Sequence, residues 1–573
     1  MTPDSQARQP GEQEQLLASS AVMAAGTLVS RFSGYLRSLL LAAALGNLLH
    51  ADLFTIGNTV PNMLYILLAG GVFNAVLVPQ LVRAMTSDPD GGEAYTNRVI
   101  TLVALFLGAV SVALVVAAPW VMDVFLSSDY DRPELSDQRD SIVAFARFCL
   151  PQVFFYGMFA LLGQILNARR RFGPMMWAPI ANNLVSIAIL VGYLVHYGPV
   201  GDDDLSSAYS RGQEAWLGLG ATAGIAVQLL VLLPFLRAAG VRFRPRFDFR
   251  GTGLGHTLRL GMWTVMFVAV NQVAYAIVVR LASGGTAQAL GTGGSEVQAT
   301  GYTVYAQTFL IVMVPHSVIT VSLATAMLPL LSSHGNTGNL RALGASLARV
   351  LRTALAVVVP FAVLLPVVAP DLAAILWNWG AASSTYTLYI LSLSLFGVGV
   401  VFFTVHYLVL RGFYALERTR TVFVIQCVVA ATNVMAAVVL VATTDAVHTA
   451  PALVVAYTAS YVVGSVLSYV LLGRTLADGG AGGGGGLATA ALVRFVVRLA
   501  IATGLATFAA WGLATLLPGH DDPSHLVALA RLVLVAGADV LVFVVLARLM
   551  RLSEVTEVID TVTRRLRRRT RVR

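Results

Sequence analysis

The sequence predicts an all-α polytopic membrane protein of about fourteen transmembrane helices, from its composition, the spacing of its apolar runs and the alternation of arginine between them. Of 573 residues, 57% are hydrophobic and only 12% are charged, so polar groups cannot cover a water-exposed surface in the usual proportion. All 38 basic residues are Arg, which reads as GC-rich codon bias and says little about chemistry. Cys149 and Cys427 lie inside apolar runs and read as small buried hydrophobes, neither a disulfide framework nor a metal site. Residues 1–18 are polar and of mixed charge, with no signal-peptide pattern, and read as a cytoplasmic segment.

A spanning helix needs about 20 apolar residues. Runs of that length begin near residues 20, 54, 99, 142, 173, 215, 258, 298, 349, 386, 421, 451, 491 and 526. Charge tests the register, because cytoplasmic loops carry the Arg excess. One set of alternate loops holds Arg83 and Arg98; Arg169 to Arg171; Arg237, Arg242, Arg244, Arg246, Arg250 and Arg259; Arg341, Arg349 and Arg352; Arg411, Arg418 and Arg420; and Arg474, Arg494 and Arg498. The other set is nearly bare of Arg, with Asp52, the acidic stretch from Asp129 to Asp140, Asp202 to Asp204, the loop from Ser283 to Glu296, and Asp521 with Asp522. An even number of spans with both termini on the Arg-rich side predicts N-in and C-in.

Weak internal similarity recurs at an offset of about 250 residues, an even number of helices, which predicts parallel repeats about an axis along the membrane normal. Val60-Pro61-Asn62 opens a span closing on Val78-Pro79, as Val314-Pro315-His316 opens one closing on Leu328-Pro329. The expected layout is a six-helix bundle over residues 19–250 and a second over 251–474, related by a pseudo-two-fold, with a substrate site between them. A Gly-rich linker over 475–489 then leads to two extra helices over 490–550 and a basic amphipathic tail over 551–573. The tail carries Leu552, Val555, Val558, Ile559, Val562 and Leu566 at helical spacing and seven arginines from Arg564 onward, which suits an anionic lipid surface better than nucleic acid.

Residues 30–83 carry Ser30-Arg31-Phe32-Ser33-Gly34-Tyr35-Leu36-Arg37, then Leu45-Gly46, Ala51-Asp52, Pro61-Asn62, Gly70-Gly71 and Val78-Pro79. With Pro315 to Pro329, and Gly412-Phe413-Tyr414-Ala415 before Thr419-Arg420-Thr421, this pattern resembles the MurJ (MviN) family over roughly residues 20–550. The resemblance is to a divergent, actinobacterial-like member. It implies a fold of the multidrug/oligosaccharidyl-lipid/polysaccharide exporter type in the bacterial cytoplasmic membrane. It also implies outward flipping of lipid II, the undecaprenyl-pyrophosphate disaccharide peptide of peptidoglycan synthesis, with cell-wall synthesis or division proteins as possible partners. The chain departs from the family pattern at Ser38, where Asp is usual, at Tyr65, Ile66 and Gly70, where an Arg pair and a Glu are usual, and at Leu310, where a cavity Arg is usual. Asn433 is followed four residues on by Ala437, so the sodium-binding Asn and Asp of some members are not both present.

An Arg deep in an apolar helix needs a watery cavity or a partner, which makes it a functional candidate. Arg31 lies about eleven residues into the first span, some 16 Å along it, and Arg37 about 120° around the same helix. Arg280 closes the seventh span and is placed to replace the cation missing at Leu310. These three form the expected cationic substrate cavity, since a guanidinium donates two parallel hydrogen bonds to phosphate oxygens. Asp52 is expected to gate that cavity by pairing with an Arg of the first span, or to cap the second. Gly34, Pro61, Asn62, Pro79 and Pro315 are expected at helix contacts and bends. His316, His406 and Asp539 lie inside spans and read as hydrogen-bonded packing residues. Nothing resembles a catalytic triad, a metal cluster or a phosphate loop, so the expectation is a transporter without cofactor. The alternatives are a drug/cation antiporter of the related MATE type, a flippase of another polyprenyl-linked glycan, and a non-transporting scaffold of wall synthesis.

Overall fold

The structure, a computed structural model, describes residues 10–67, 84, 90, 92–169, 171, 173–248, 254–291, 299–478, 486–519 and 523–556. Where a helix is counted together with its continuation past a break, the described residues form fourteen main helical elements. They are α1 (Pro10–Leu45), α2 (Leu49–Gly57, continued by Thr59–Ile66), α3 (Glu93–Val116, continued by Ala118–Phe125), α4 (Ser136–Cys149, continued by Gln152–Ala168), α5 (Gly173–Tyr197) and α6 (Arg211–Leu230, continued by Leu232–Ala238). After them come α7 (Leu254–Gly291), α8 (Tyr302–Val312, a π turn His316–Thr320, then Val321–Asn336), α9 (Leu340–Trp377), α10 (Leu388–Ala415), α11 (Thr419–Thr443), α12 (Thr449–Asp478), α13 (Thr489–Leu516) and α14 (His525–Leu549). Among the described residues 12 helices, in α3 to α14, are long and apolar enough to cross a membrane. All-helical folding follows from the solvent, because hydrocarbon offers the backbone no partner and a helix satisfies its amides within the segment.

The helices overrun the apolar runs that announce them. α9 begins at Leu340, so Arg341, Arg349 and Arg352, read above as loop residues, lie inside it, as Arg494 and Arg498 lie inside α13. Side-chain caps mark some of these starts. Ser210 and Gln213 cap α6 reciprocally, and Asn339 Oδ1 accepts from the Ala342 amide at 3.0 Å to open α9. The proline motifs also sit differently from the expectation. Val60-Pro61-Asn62 does not open a span: α2 already starts at Leu49 and breaks at Asn58, because Pro61 has no N–H for the Gly57 carbonyl. Val314-Pro315-His316 likewise falls inside α8, where the helix widens into the π turn. Pro79 and the linker residues 479–485 lie outside the described residues.

The contacts divide the chain into two compact units, Met1–Gln272 and Val273–Arg573, whose boundary falls inside α7. In the first, α1 packs along α5, α5 on α6, and α3 on α4, around a core that includes Leu107, Val153, Leu161, Leu166 and Leu232. In the second, α10 packs between α9 and α12, α11 lies on α12, and α13 and α14 pair and dock on α9. Leu364 and Val368 of α9 meet Ala510 of α13 and Val535 of α14 in one apolar cluster.

The tail departs from the reading as a free surface helix. Leu552 and Val555 are buried in a cluster with Leu355, Phe495, Leu499 and Phe543, and Glu554 pairs with Arg352 at 3.0 Å. The start of the tail is therefore docked on α9, α13 and α14; Val558 onward lies outside the described residues.

Candidate transport site

α1 presents two unlike faces. Val29, Phe32 and Leu36 are exposed, as suits contact with lipid, while Ser30, Ser33 and Arg37, three and four residues apart, share the side turned to α5. Asn183 of α5 fastens that side, its Nδ2 donating to the Ser30 carbonyl and to Ser33 Oγ, each at 2.9 Å. A Cβ on Gly34 would meet Asn183 Nδ2 at 3.6 Å, an ordinary contact, so close helix approach is not what Gly34 provides. The close approach lies elsewhere, at Gly224 of α6, where a Cβ would stand 2.4 Å from Asn182 Oδ1.

Beyond this contact the first unit contains a cavity of about 110 Å³ lined by Arg37, Asn58, Gln152, Tyr156, Asn182 and Ser186, among others. Gln152 Nε2 donates to Asn58 Oδ1 at 2.9 Å, which ties the break in α2 to α4 at the cavity wall. Arg37 makes no hydrogen bond or ion pair to any described residue. A guanidinium without a carboxylate in such a place is tenable only with water or an anion against it. The space suits several waters, each needing roughly 10–15 Å³ on this measure, and is too small for a disaccharide-peptide headgroup.

Arg31 does not line this cavity. It is partly buried, its Nε has no hydrogen-bond partner, and Tyr35 lies one turn further on. The two arginines of α1 thus occupy different surroundings. Arg280 does not close α7, which continues to Gly291; it is partly buried, belongs to the second unit, and its carbonyl accepts from Ser283 Oγ at 2.8 Å. Asp52 does not cap α2. The cap residue is Leu48, without a side-chain bond, and Asp52 is fully buried in the first turn. The Tyr130 hydroxyl is held well above its ordinary pKa by burial and by the neighbouring Asp52 and Asp129 carboxylates. Asn62 is exposed.

His316 Nδ1 meets Thr404 Oγ1 at 2.9 Å and His406 Nδ1 meets Ser468 Oγ at 3.2 Å, while Thr507 Oγ1 donates to Asp539 at 3.1 Å, as expected of packing residues. Cys149 is fully buried, but Cys427 only partly. The sequence reading missed Asn58, Gln152, Asn182 and Asn183, whose signal was an amide inside an apolar run. It also missed Arg411 as more than a loop charge. Arg411 lies inside α10 over the Tyr407 ring at 4.3 Å, near the π turn of α8, and its Nε has no hydrogen-bond partner.

A family profile described as lipid II flippase MurJ matches residues 41–529. The chain belongs to the MurJ family. Among its curated relatives are a probable lipid II flippase MurJ of Rhizobium meliloti (strain 1021), 26% identical over 431 residues that cover 74% of this chain and 75% of the relative, and one of Thermotoga maritima, 24% identical over 444 residues that cover 76% and 82%. The lipid II flippase MurJ of Burkholderia cenocepacia is 27% identical over 402 residues, 69% of this chain and 72% of that one. A solved structure titled lipid II flippase MurJ, inward closed conformation, superposes with a TM-score of 0.68 at 16% identity, covering 92% of this chain and 98% of that one. An inward-facing multidrug resistance MATE family transporter of the MOP superfamily superposes at 0.57 and 14% identity over 77% and 94%. At these identities both share the fold. The family match, which extends from inside α1 into α14, decides between the MurJ and MATE readings.

Proposed function

We propose that the protein flips lipid II from the cytoplasmic to the outer leaflet of the bacterial cytoplasmic membrane by alternating access, with both termini inside. The family match carries this reading. The charges of α1 support it, because Arg31 and Arg37 have no protein anion paired with them among the described residues, which leaves them available to a pyrophosphate. The polyprenyl tail stays in lipid while cationic side chains carry the headgroup across: Arg31 and Arg37 in the first unit and Arg280 in the second are its proposed contacts, and Asp52 is the proposed gate. Membrane potential resets the empty carrier, each charge moved through the full field being worth about 2.3 kcal/mol per 100 mV.

The test is depletion in the native host combined with transport by the purified full chain in proteoliposomes. Depletion should raise lipid II in the inner leaflet, and the purified chain should move it across. Accumulation of a different lipid-linked glycan, with lipid II unmoved, would reject the substrate assignment. Efflux of organic cations in place of lipid II would favour the antiporter reading.

A further inference from the structure

Between α6 and α7 the chain has no helix, strand or turn over residues 241–248, Val-Arg-Phe-Arg-Pro-Arg-Phe-Asp, and side chains of α3 hold its backbone along one edge. Asn97, itself buried, pairs with it as a neighbouring strand would. Its Nδ2 donates to the Arg242 carbonyl at 3.2 Å and its Oδ1 accepts from the Arg244 amide at 3.2 Å. Thr101 Oγ1 accepts from the Arg246 amide at 3.1 Å. The ends are fastened too: Arg169 Nη1 donates to the Ala239 carbonyl at 2.7 Å, and Arg98 pairs with Asp248 at 2.6 Å.

A chain pinned in this way alternates its side chains between two faces. Arg242, Arg244 and Arg246 fall on one face and Phe243, Pro245 and Phe247 on the other, with Phe243 53% and Phe247 69% exposed. Asp248 neutralises part of the charge by pairing with Arg98 and Arg246, and the Arg98 hydrogen bond holds its carboxyl down to about 2. Arg242 and Arg244 are exposed, and among the described residues neither guanidinium has a partner. One ribbon face is thus aromatic and the opposite face cationic. The layering matches the boundary between acyl chains and phosphates, where apolar rings sit below the headgroups and guanidiniums reach among them.

We propose that residues 242–248 form a binding site for the phosphate headgroups of anionic glycerophospholipids, with Arg242 and Arg244 as its ligands and Phe243 as its anchor. The pinning by Asn97 and Thr101 is what makes it a site and not a loose basic loop: the backbone is ordered before the lipid arrives, so binding does not bear that entropy. The site does not depend on the transported substrate, and transport could fail while it stands.

The experiment is native mass spectrometry of the full chain titrated with phosphatidylglycerol and, separately, phosphatidylcholine, with helical content checked for each variant. The unmodified chain should retain phosphatidylglycerol preferentially, and raised salt should weaken that preference. Arg242→Gln with Arg244→Gln should lower phosphatidylglycerol affinity roughly five-fold for each arginine removed and leave phosphatidylcholine unchanged. Asn97→Ala keeps both charges but frees the ribbon, and should also weaken phosphatidylglycerol binding. Arg341→Gln with Arg349→Gln, which removes exposed arginines elsewhere, should change it little. Unchanged phosphatidylglycerol affinity in the Arg242/Arg244 variant overturns the proposal, and so does an equal loss in the Arg341/Arg349 control. Asn97→Ala binding like the unmodified chain would reject the preorganised site. A soluble acidic protein that needs Arg242 and Arg244 while lipid retention is unaffected would make this a protein-docking surface instead.

Discussion

Arg31 and Arg37 stand six positions apart on one helix, and their surroundings separate them. Arg37 faces amides and hydroxyls around a small polar cavity, whereas Arg31 lies outside that cavity next to Tyr35. Both charges are tolerable in the membrane only with water or an anion nearby, so each alanine replacement should insert normally and fail in transport. Arg31→Ala and Arg37→Ala are therefore both expected to lose complementation of a depleted host at unchanged membrane abundance. Arg31→Lys and Arg37→Lys should recover part of it, because an ammonium keeps the charge and loses the two-pronged hydrogen bond. Growth and lipid II flipping at the unmodified rate in both alanine variants would remove the cationic cavity from the mechanism. Arg280→Ala should matter less, since Arg280 already takes part in an interaction within the protein.

At the scale of elements, α13 and α14 are held to α9 by more than apolar contact. Arg531 of α14 pairs with Asp371 of α9 at 3.0 Å, both nearly fully buried, and also donates to the Leu517 and Pro518 carbonyls at 2.8 and 2.9 Å. Removal of one partner of such a pair leaves a buried charge exposed to hydrocarbon or protein without compensation. Asp371→Ala should therefore destabilise by about 3–5 kcal/mol, read as a fall in the thermal midpoint of the detergent-solubilised protein. Asp371→Leu combined with Arg531→Met should restore most of it, and a double variant as unstable as the single one would contradict this account. The tail divides in the same way. Truncation after Thr563 removes all the terminal arginines and should leave flipping nearly intact. Truncation after Met550 also removes buried Leu552 and Val555 and should destabilise the α9, α13 and α14 packing by about 1.5–3 kcal/mol for each side chain.

For the whole molecule, the proposed orientation rests on the distribution of arginine. A cysteine at Asp203, in an otherwise cysteine-free background, should react with a membrane-impermeant thiol reagent from outside, and one at Arg244 should not. The reverse pattern would invert the proposed topology. Cys427 must be replaced for this measurement because it is only partly buried; Cys149 is fully buried and should stay unreactive.

Apolar run length was enough to predict an all-helical polytopic fold, because the hydrocarbon thickness and the requirement for internal backbone pairing act on every segment independently of its neighbours. The family was legible too, because the motifs from Ser30 to Pro79 and at Gly412-Phe413-Tyr414 resemble it, and the family profile matches residues 41–529. The neighbours of each charge were not legible. Arg37 faces Asn182 and Gln152, Asp52 lies beside Tyr130, and Asn97 with Thr101 grips residues 242–246 some 145 positions away along the chain. These pairings arise from which helix faces meet, and helical periodicity alone gives a face without its partner. The proline motifs failed for a related reason: Pro61 and Pro315 interrupt helices that continue on both sides, and sequence cannot tell an interruption from a start when the flanking turns are equally apolar. Sequence by itself determined the solvent, the class of fold and the family, and tertiary packing decided which charges stand alone and which are held.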